Sequence, residues 1–220
     1  MKVRKFTAAL IAATLLFAAA TTALAQSPTV PGAVYSQTWG ADKAHSKIKE
    51  ELTKAGVKDV PSTFWAAGSL TVLLEAGLIK PDATGNLAPD SKVGTGEGVA
   101  IFAKVLGLAS KLDDDATAMA KARSAGLVDD TADGEMTRLG VAKILAKALG
   151  VEPKSSVTRS TFPFSDGFDE LSAEERGILA ALYELGVFRG YPDKTFRPGK
   201  SLTRAEIAIL VDRILGAMAP

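Results

Sequence analysis

The chain contains no cysteine and a single histidine, His45. Without a thiol there is no disulfide, no thiolate nucleophile and no cysteine to carry an amino-terminal lipid. With one imidazole, neither a nucleophile–base pair nor a His-bearing metal cluster can be assembled. His45 itself has no carboxylate at ligand spacing and reads as a surface residue. Aromatic residues make up only 6% of the chain, and no sustained period-two alternation is present, so strand signals are poor. An excess of one charge is also missing: 26 basic groups nearly cancel 25 acidic ones. No basic run is interleaved with aromatics, which argues against nucleic acid as a partner. Past the amino-terminal segment, no apolar run is long enough to span a bilayer.

What is present is a chain rich in Ala and Leu, 47% apolar, that can bury a core. Its start has the layout of a secretory signal over residues 1–25. Lys2, Arg4 and Lys5 are followed by a short apolar stretch from Ala8 to Ala20, and Ala23-Leu24-Ala25 offers a cleavage site before Gln26. Cleavage there leaves 23 basic and 25 acidic groups, net −2. The mature protein is therefore expected to be exported, and either soluble or attached to the envelope non-covalently. Residues 26–58 read as a loose leader with one short helix from Ala41 to Ala55, ended by Gly56.

The rest of the chain repeats itself, with no strand pattern, and reads as all-α. Three times a helical run ends on Gly and an aliphatic residue, at Gly77-Leu78, Gly126-Leu127 and Gly186-Val187. A polar loop follows, and then a helix that opens on Thr95, Thr137 or Thr203. Each second helix closes alike, at Leu106-Gly107, Leu149-Gly150 and Leu215-Gly216. Gly just past the last apolar turn is expected, because it enters the left-handed region without steric cost. The repeats run over 59–108, 112–151 and 164–216, with a polar linker over 152–163. The second repeat has the short loop, eleven residues from Gly126 to Thr137 against eighteen and seventeen in the others. One such helix pair cannot bury its apolar face alone, so the three are expected to pack as one cooperative bundle.

Several tempting motifs fail on their spacing. Gly94-Thr95-Gly96-Glu97-Gly98 follows no strand and lacks dinucleotide-binding spacing. Asp129–Gly134 opens like a Ca²⁺ loop, but its twelfth position is Gly140 and not Glu. Asp113-Asp114-Asp115 suits a helix amino terminus. Glu174 and Glu175 are adjacent and point apart on a helix, so they form no acid–base pair. No catalytic constellation, metal site or cofactor site emerges, and the chain reads as a non-enzyme.

The stretch from Gly190 to Glu206 is the most informative. A turn segment, Gly190-Tyr191-Pro192-Asp193-Lys194-Thr195-Phe196-Arg197-Pro198, runs into Thr203-Arg204-Ala205-Glu206. Thr203 with Glu206 three residues on predicts a capping box, and Thr137 and Thr95 are expected to cap their helices likewise. Arg204 occupies the first helical position, where the helix dipole disfavours a cation. Beside free backbone N–H groups, that guanidinium would suit a carboxylate.

Together with Phe164-Ser165-Asp166, Leu182-Tyr183 and Gly186-Val187, these residues resemble the S-layer homology (SLH) domain. Repeat one keeps Asp59-Val60-Pro61 and Phe64-Trp65-Ala66-Ala67, but Thr95-Gly96-Glu97-Gly98 replaces the Thr-Arg-Ala-Glu signature. Repeat two keeps Thr137-Arg138 and then departs at Leu139-Gly140. The resemblance implies a pseudo-threefold bundle of helix–loop–helix repeats that anchors proteins to the bacterial cell wall. Its implied partner is acidic, pyruvylated secondary cell-wall polysaccharide, held in grooves between repeats. Carried onto this chain, the family's contacts fall on Arg204, Arg138, Trp65, Asp59, Asp166 and Gly190, and Tyr191 offers a further aromatic face for a pyranose ring.

Two readings of these residues stay open on sequence alone. Arg204 suits either a ligand carboxylate or a structural pairing with Asp166 or Asp193. Trp65 suits either core packing or stacking on a sugar ring. Pseudo-symmetry places repeat three beside repeat one, with Trp65 across a groove from Arg204, and that groove is expected to do most of the binding. The alternative function is an assembly protein of the envelope or surface layer, with sugar binding lost and protein partners gained.

Overall fold

The computed structural model describes residues 45–129 and 133–218. The expected signal segment, the rest of the leader to residue 44, and the middle of the Asp129–Gly134 loop lie outside the described residues. Among the described residues the fold is all-α, with two isolated antiparallel bridges, Lys92 with Thr203 and Gly94 with Glu135.

The helices are α1 (His45–Lys54), α2 (Ala67–Glu75), α3 (Thr95–Val105), α4 (Asp115–Ser124), α5 (Arg138–Leu149), α6 (Ala173–Glu184) and α7 (Arg204–Met218). In α1, Ile48 and Leu52 are buried one turn apart, and Gly56 at φ 72° ends the helix. The expected first turn of α1, from Ala41, falls outside the described residues. In α2, residues Ala67 through Leu73 are all buried, and the two hydroxyls among them are satisfied, Ser69 donating to Asp212 and Thr71 to the Gly68 carbonyl. Asp114 caps α4 by accepting from the Thr117 N–H at 2.7 Å. Ser172 caps α6 in a full capping box with Glu175. Glu175 also pairs with Lys143 of α5 at 2.6 Å, which is what one half of the adjacent acid pair is for.

The glycine stops hold at five of six positions. Gly77, Gly107, Gly126, Gly150 and Gly186 all have φ between 62° and 72°. Gly216 differs, because α7 runs through it to Met218. Glycine permits the left-handed turn without requiring it, and here the chain simply continues. Thr95 also departs from expectation. The N-cap of α3 is Gly94, which has no cap-forming side chain, and Thr95 is the first helical residue. Its hydroxyl instead donates toward the Asp133 and Gly134 carbonyls.

The described chain forms two compact units, and they do not coincide with the repeats. One joins residues 45–136 to Ser201–Gly216; the other is Thr137–Lys200. In the first, α1 packs on α2 and α3 on α4; in the second, α5 packs on α6. The first has a mostly aliphatic core, with Leu70, Leu73, Phe102, Leu202, Ile207 and Ile214 fully buried. At its centre lies a closed ring of backbone hydrogen bonds. Val93 N–H donates to Leu202, Leu202 N–H to Met136, and Met136 N–H to Val93, at 2.8–2.9 Å. Each of the three residues comes from a different repeat, and all are buried. The second unit is aromatic. Phe164 meets Phe162, Tyr183 and Phe196, and Phe188 meets Phe196, with centroids 5.0–5.7 Å apart. Each such pair contributes about 0.5–1.5 kcal/mol beyond area burial.

Candidate functional site

Each compact unit contains one copy of the same local construction, a loop locked by an Asp and approached by an Arg. In the second unit the loop is that of repeat three. Asp166 accepts from the N–H groups of Phe196 and Arg197 at 2.5 and 2.8 Å, and Ser165 N–H donates to Lys194. These bonds hold Arg197 and Lys194 at φ 58° and 63°, unusual for residues with a side chain. In the first unit, Asp59 accepts from Leu87 and Ala88 at 2.9 and 2.7 Å, and Lys58 N–H donates to Gly85. Ala88 sits at φ 49°. The loop of repeat one therefore keeps the full construction of repeat three, although most of its side chains differ.

A helix start then closes on each loop. Arg138 and Leu139 of α5 donate their N–H groups to Lys200 and Pro198 of repeat three. Arg204 and Ala205 of α7 donate theirs to Ser91 and Pro89 of repeat one. The guanidinium adds a further bond to the loop in both cases. Arg138 Nε reaches the Phe196 carbonyl at 2.7 Å, and Arg204 Nη1 reaches the Leu87 carbonyl at 3.1 Å.

This geometry corrects two expectations for Arg204. The amide groups at the start of α7 are not available to a ligand. Arg204 and Ala205 are bonded to repeat one, while Glu206 N–H and Thr203 N–H are taken up in the capping box with Thr203 Oγ1 and Glu206 Oε2. All the exposed donors of the first turn are thus satisfied within the chain. Nor does Arg204 pair with Asp166 or Asp193. Its partner is Glu97, with Nε to Oε1 at 2.6 Å and Nη2 to Oε2 at 3.3 Å. That carboxylate raises the Arg204 pKa still further above its ordinary value. Asp193 is occupied locally by Thr195 and Arg197.

The surroundings of the two arginines differ in chemistry. Arg138 is buried at 7% exposure, and its guanidinium carbon lies 4.6, 4.9 and 5.5 Å from the ring centres of Tyr191, Phe196 and Phe188. Arg197 approaches Tyr191 at 4.2 Å and Lys200 Nζ at 4.9 Å, and the same Nζ donates to the Tyr191 hydroxyl at 2.9 Å. Three cationic side chains therefore converge on one partly exposed phenol. Each contact of this kind contributes about 0.5–2 kcal/mol, more where water is excluded. Asp193 sits on the rim, and its bonds to Thr195 and Arg197 hold its pKa down at about 2. Gly190, at φ 73°, lies where a Cβ would come within 2.9 Å of the Thr195 carbonyl and 3.0 Å of Phe164, so its role in the loop is close packing.

The remaining candidates fall in separate places. Thr137 caps α5 by accepting from Gly140 N–H. Trp65 is 46% exposed, with its ring 5.4 Å from Phe64, so the core-packing alternative does not hold. His45 is exposed, its Nδ1 2.9 Å from the Ser62 carbonyl. Asp59 and Asp166 spend both carboxylate oxygens on loop amides. Sequence reasoning missed Glu97 and Lys200; Glu97 stood at the anomaly in the repeat-one signature, which was its only signal. Among the described residues no cluster of three or more metal-ligating side chains occurs, and no helix is long and apolar enough to cross a membrane.

The S-layer homology domain family matches residues 163–208. The cellulosome-anchoring protein of Acetivibrio thermocellus is 37% identical over 83 residues, 38% of this chain and 18% of that protein. Cell surface glycoprotein 1 of the same organism is 41% identical over 76 residues, 34% of this chain and 3% of its own length. The S-layer protein sap of Bacillus anthracis is 27% identical over 170 residues, 68% of this chain and 20% of that protein. The matched stretch spans a fifth or less of each of these relatives.

Proposed function

We propose that this chain, which carries an S-layer homology domain at residues 163–208, is a non-catalytic anchor of the bacterial cell envelope. It is exported, stays at the cell surface or wall, and binds acidic, pyruvylated wall polysaccharide. The observation that carries the reading is the convergence of Arg138, Arg197 and Lys200 on the partly exposed ring of Tyr191. A carboxylate on a wall sugar would meet guanidinium and ammonium donors in one place there. The names of the relatives, an anchoring protein and surface-layer proteins, support the same reading.

The test is co-sedimentation of the chain with purified wall polysaccharide, before and after removal of its pyruvyl groups. Binding is expected to fall at least tenfold on depyruvylation, and by a similar factor in Lys200→Ala, which changes a partly exposed position and spares the core. Arg138→Ala should lose binding as well, at a cost of about 1–3 kcal/mol in stability, because the Phe196 carbonyl loses its donor. Equal binding by all three proteins, with or without pyruvyl groups, would end this reading. A second reading, assembly with protein partners, is favoured by the exposed Trp65 beside Phe64. It predicts no saccharide affinity, together with co-purification of an envelope protein that Trp65→Ala releases.

A further inference from the structure

The first unit is built from two separated pieces of chain, 45–136 and Ser201–Gly216, with the second unit between them in sequence. The helix α7 is thus delivered to repeat one from beyond a separately packed body. It buries Ile207, Ile209, Leu210, Val211 and Ile214 there. Two polar contacts fix the surface it meets. Asp212, fully buried, accepts from Ser69 Oγ of α2 at 2.7 Å. Arg204 Nε donates to Glu97 Oε1 of α3 at 2.6 Å.

These contacts select repeat one. Counted from the opening Thr of each second helix, Asp212 stands where repeat one has Lys104 and repeat two has Ala146. Lys104, its side chain 8% exposed, pairs with Asp115 of α4 at 3.0 Å. Were α7 laid on α4 in that register, Asp212 would meet the acid Asp115 in place of a hydroxyl, a like-charge mismatch. The surface that fits α7 therefore belongs to repeat one, of the same chain or of another copy.

The two crossings between the units are short. Lys200 accepts from the Arg138 N–H within the second unit, and Leu202 N–H donates to Met136 within the first. Ser201 alone stands between them, and its hydroxyl donates to Glu135. At the outward crossing Met136 is bonded within the first unit and Arg138 within the second, which leaves only Thr137. The return crossing follows a turn in which Arg197 holds φ 58°, a left-handed conformation unusual for a residue with a side chain. A short hinge under strain favours exchange of the element beyond it.

We propose that two copies of this chain exchange α7, each repeat one being completed by residues 201–218 of the other copy. The proposal goes beyond the saccharide reading and does not rest on it. In the exchanged dimer every contact of α7 is remade between copies, so the hinge and the cost of association decide the balance. Closure within one chain competes at an effective concentration in the millimolar range, as for other short connections.

The experiment refolds the full chain from urea at about 1 µM and at about 1 mM, and reads mass by size-exclusion chromatography with light scattering. Wild type is expected as monomer at the lower concentration and partly as dimer at the higher. Insertion of Gly-Ser-Gly-Ser after Ser201 is expected to lower the dimer about tenfold, because a longer hinge closes within one chain without strain. The charge-reversing variants Glu97→Lys and Arg204→Glu then identify the joint. Each has like charges at this contact, both in its own chain and in a dimer with itself. An exchanged dimer of one with the other has opposite charges at both contacts. An equal mixture refolded together is therefore expected to give the mixed dimer at a concentration about tenfold below that needed by wild type. Should either variant fail to fold by itself, recovery of folded mixed dimer supports the proposal equally. A mixture that yields no mixed dimer overturns it, as does a wild-type dimer that the insertion leaves unchanged.

Discussion

Asp193 shows how far a loop carboxylate can be bound by its own neighbours. Three donors, from Thr195 Oγ1, Thr195 N–H and Arg197, bring its pKa from 3.8 to about 2. A depressed pKa means that the folded loop prefers the ionised form. Its contribution to loop order is therefore complete above pH 4 and is lost as the pH falls through 2. A carboxyl ¹³C titration should place Asp193 near 2, with the Tyr191 and Thr195 amides reporting the same midpoint; a midpoint near 4 would show that these bonds do not persist in solution. Asp59 and Asp166 were legible in the sequence as residues worth marking, but not for what they do. Each is spent on two amides 28–31 residues further along the chain. No local pattern encodes that distance. Glu97 and Arg204, 107 residues apart, are further beyond reach of spacing arguments.

At the level of elements, the caps were the most readable features because they are local. The Thr203–Glu206 box and the Thr137 cap follow from side chains three residues from their partners. Thr95 looked identical and is not a cap, since the loop of repeat two supplies acceptors for its hydroxyl that the sequence does not announce. Gly177 in α6 carried no signal either, yet its missing side chain positions the linker. A Cβ there would lie 2.5 Å from the Lys154 carbonyl and 2.9 Å from its nitrogen. Both obstacles are backbone, so Gly177→Ala is expected to destabilise the chain by about 1–3 kcal/mol. Gly96→Ala is the matched control. Nothing lies within 4 Å of its would-be Cβ, and a stabilisation of up to about 1 kcal/mol is expected from helix propensity. Urea unfolding of the two variants should move the midpoint in opposite directions; a shift of the same sign would refute the packing argument for Gly177.

For the molecule as a whole, the helices were readable and the packing unit was not. Periodicity and glycine stops marked three helix pairs, whereas compactness divides the chain at residues 136/137 and 200/201, inside repeats two and three. The cause is that each loop takes its closing hydrogen bonds from a helix of another repeat. A fragment cut to the family match, 163–208, therefore lacks α5 and with it Arg138 beneath Tyr191. The fragment 137–200 retains both, along with the aromatic core. Far-ultraviolet circular dichroism is expected to show a cooperative melt for 137–200 and none for 163–208. The reverse result would mean that the repeat folds by itself.

The ring formed by Val93, Met136 and Leu202 also sets an order in time. Two of its members leave the ribosome well before the third. The segment between them, residues 137–200, contains the whole of the second unit and can settle while the first still waits for Leu202. Until then the Val93 amide and the Met136 carbonyl have no partner in the ring. The ring thus closes only once residue 202 has been made, after the whole of residues 137–200.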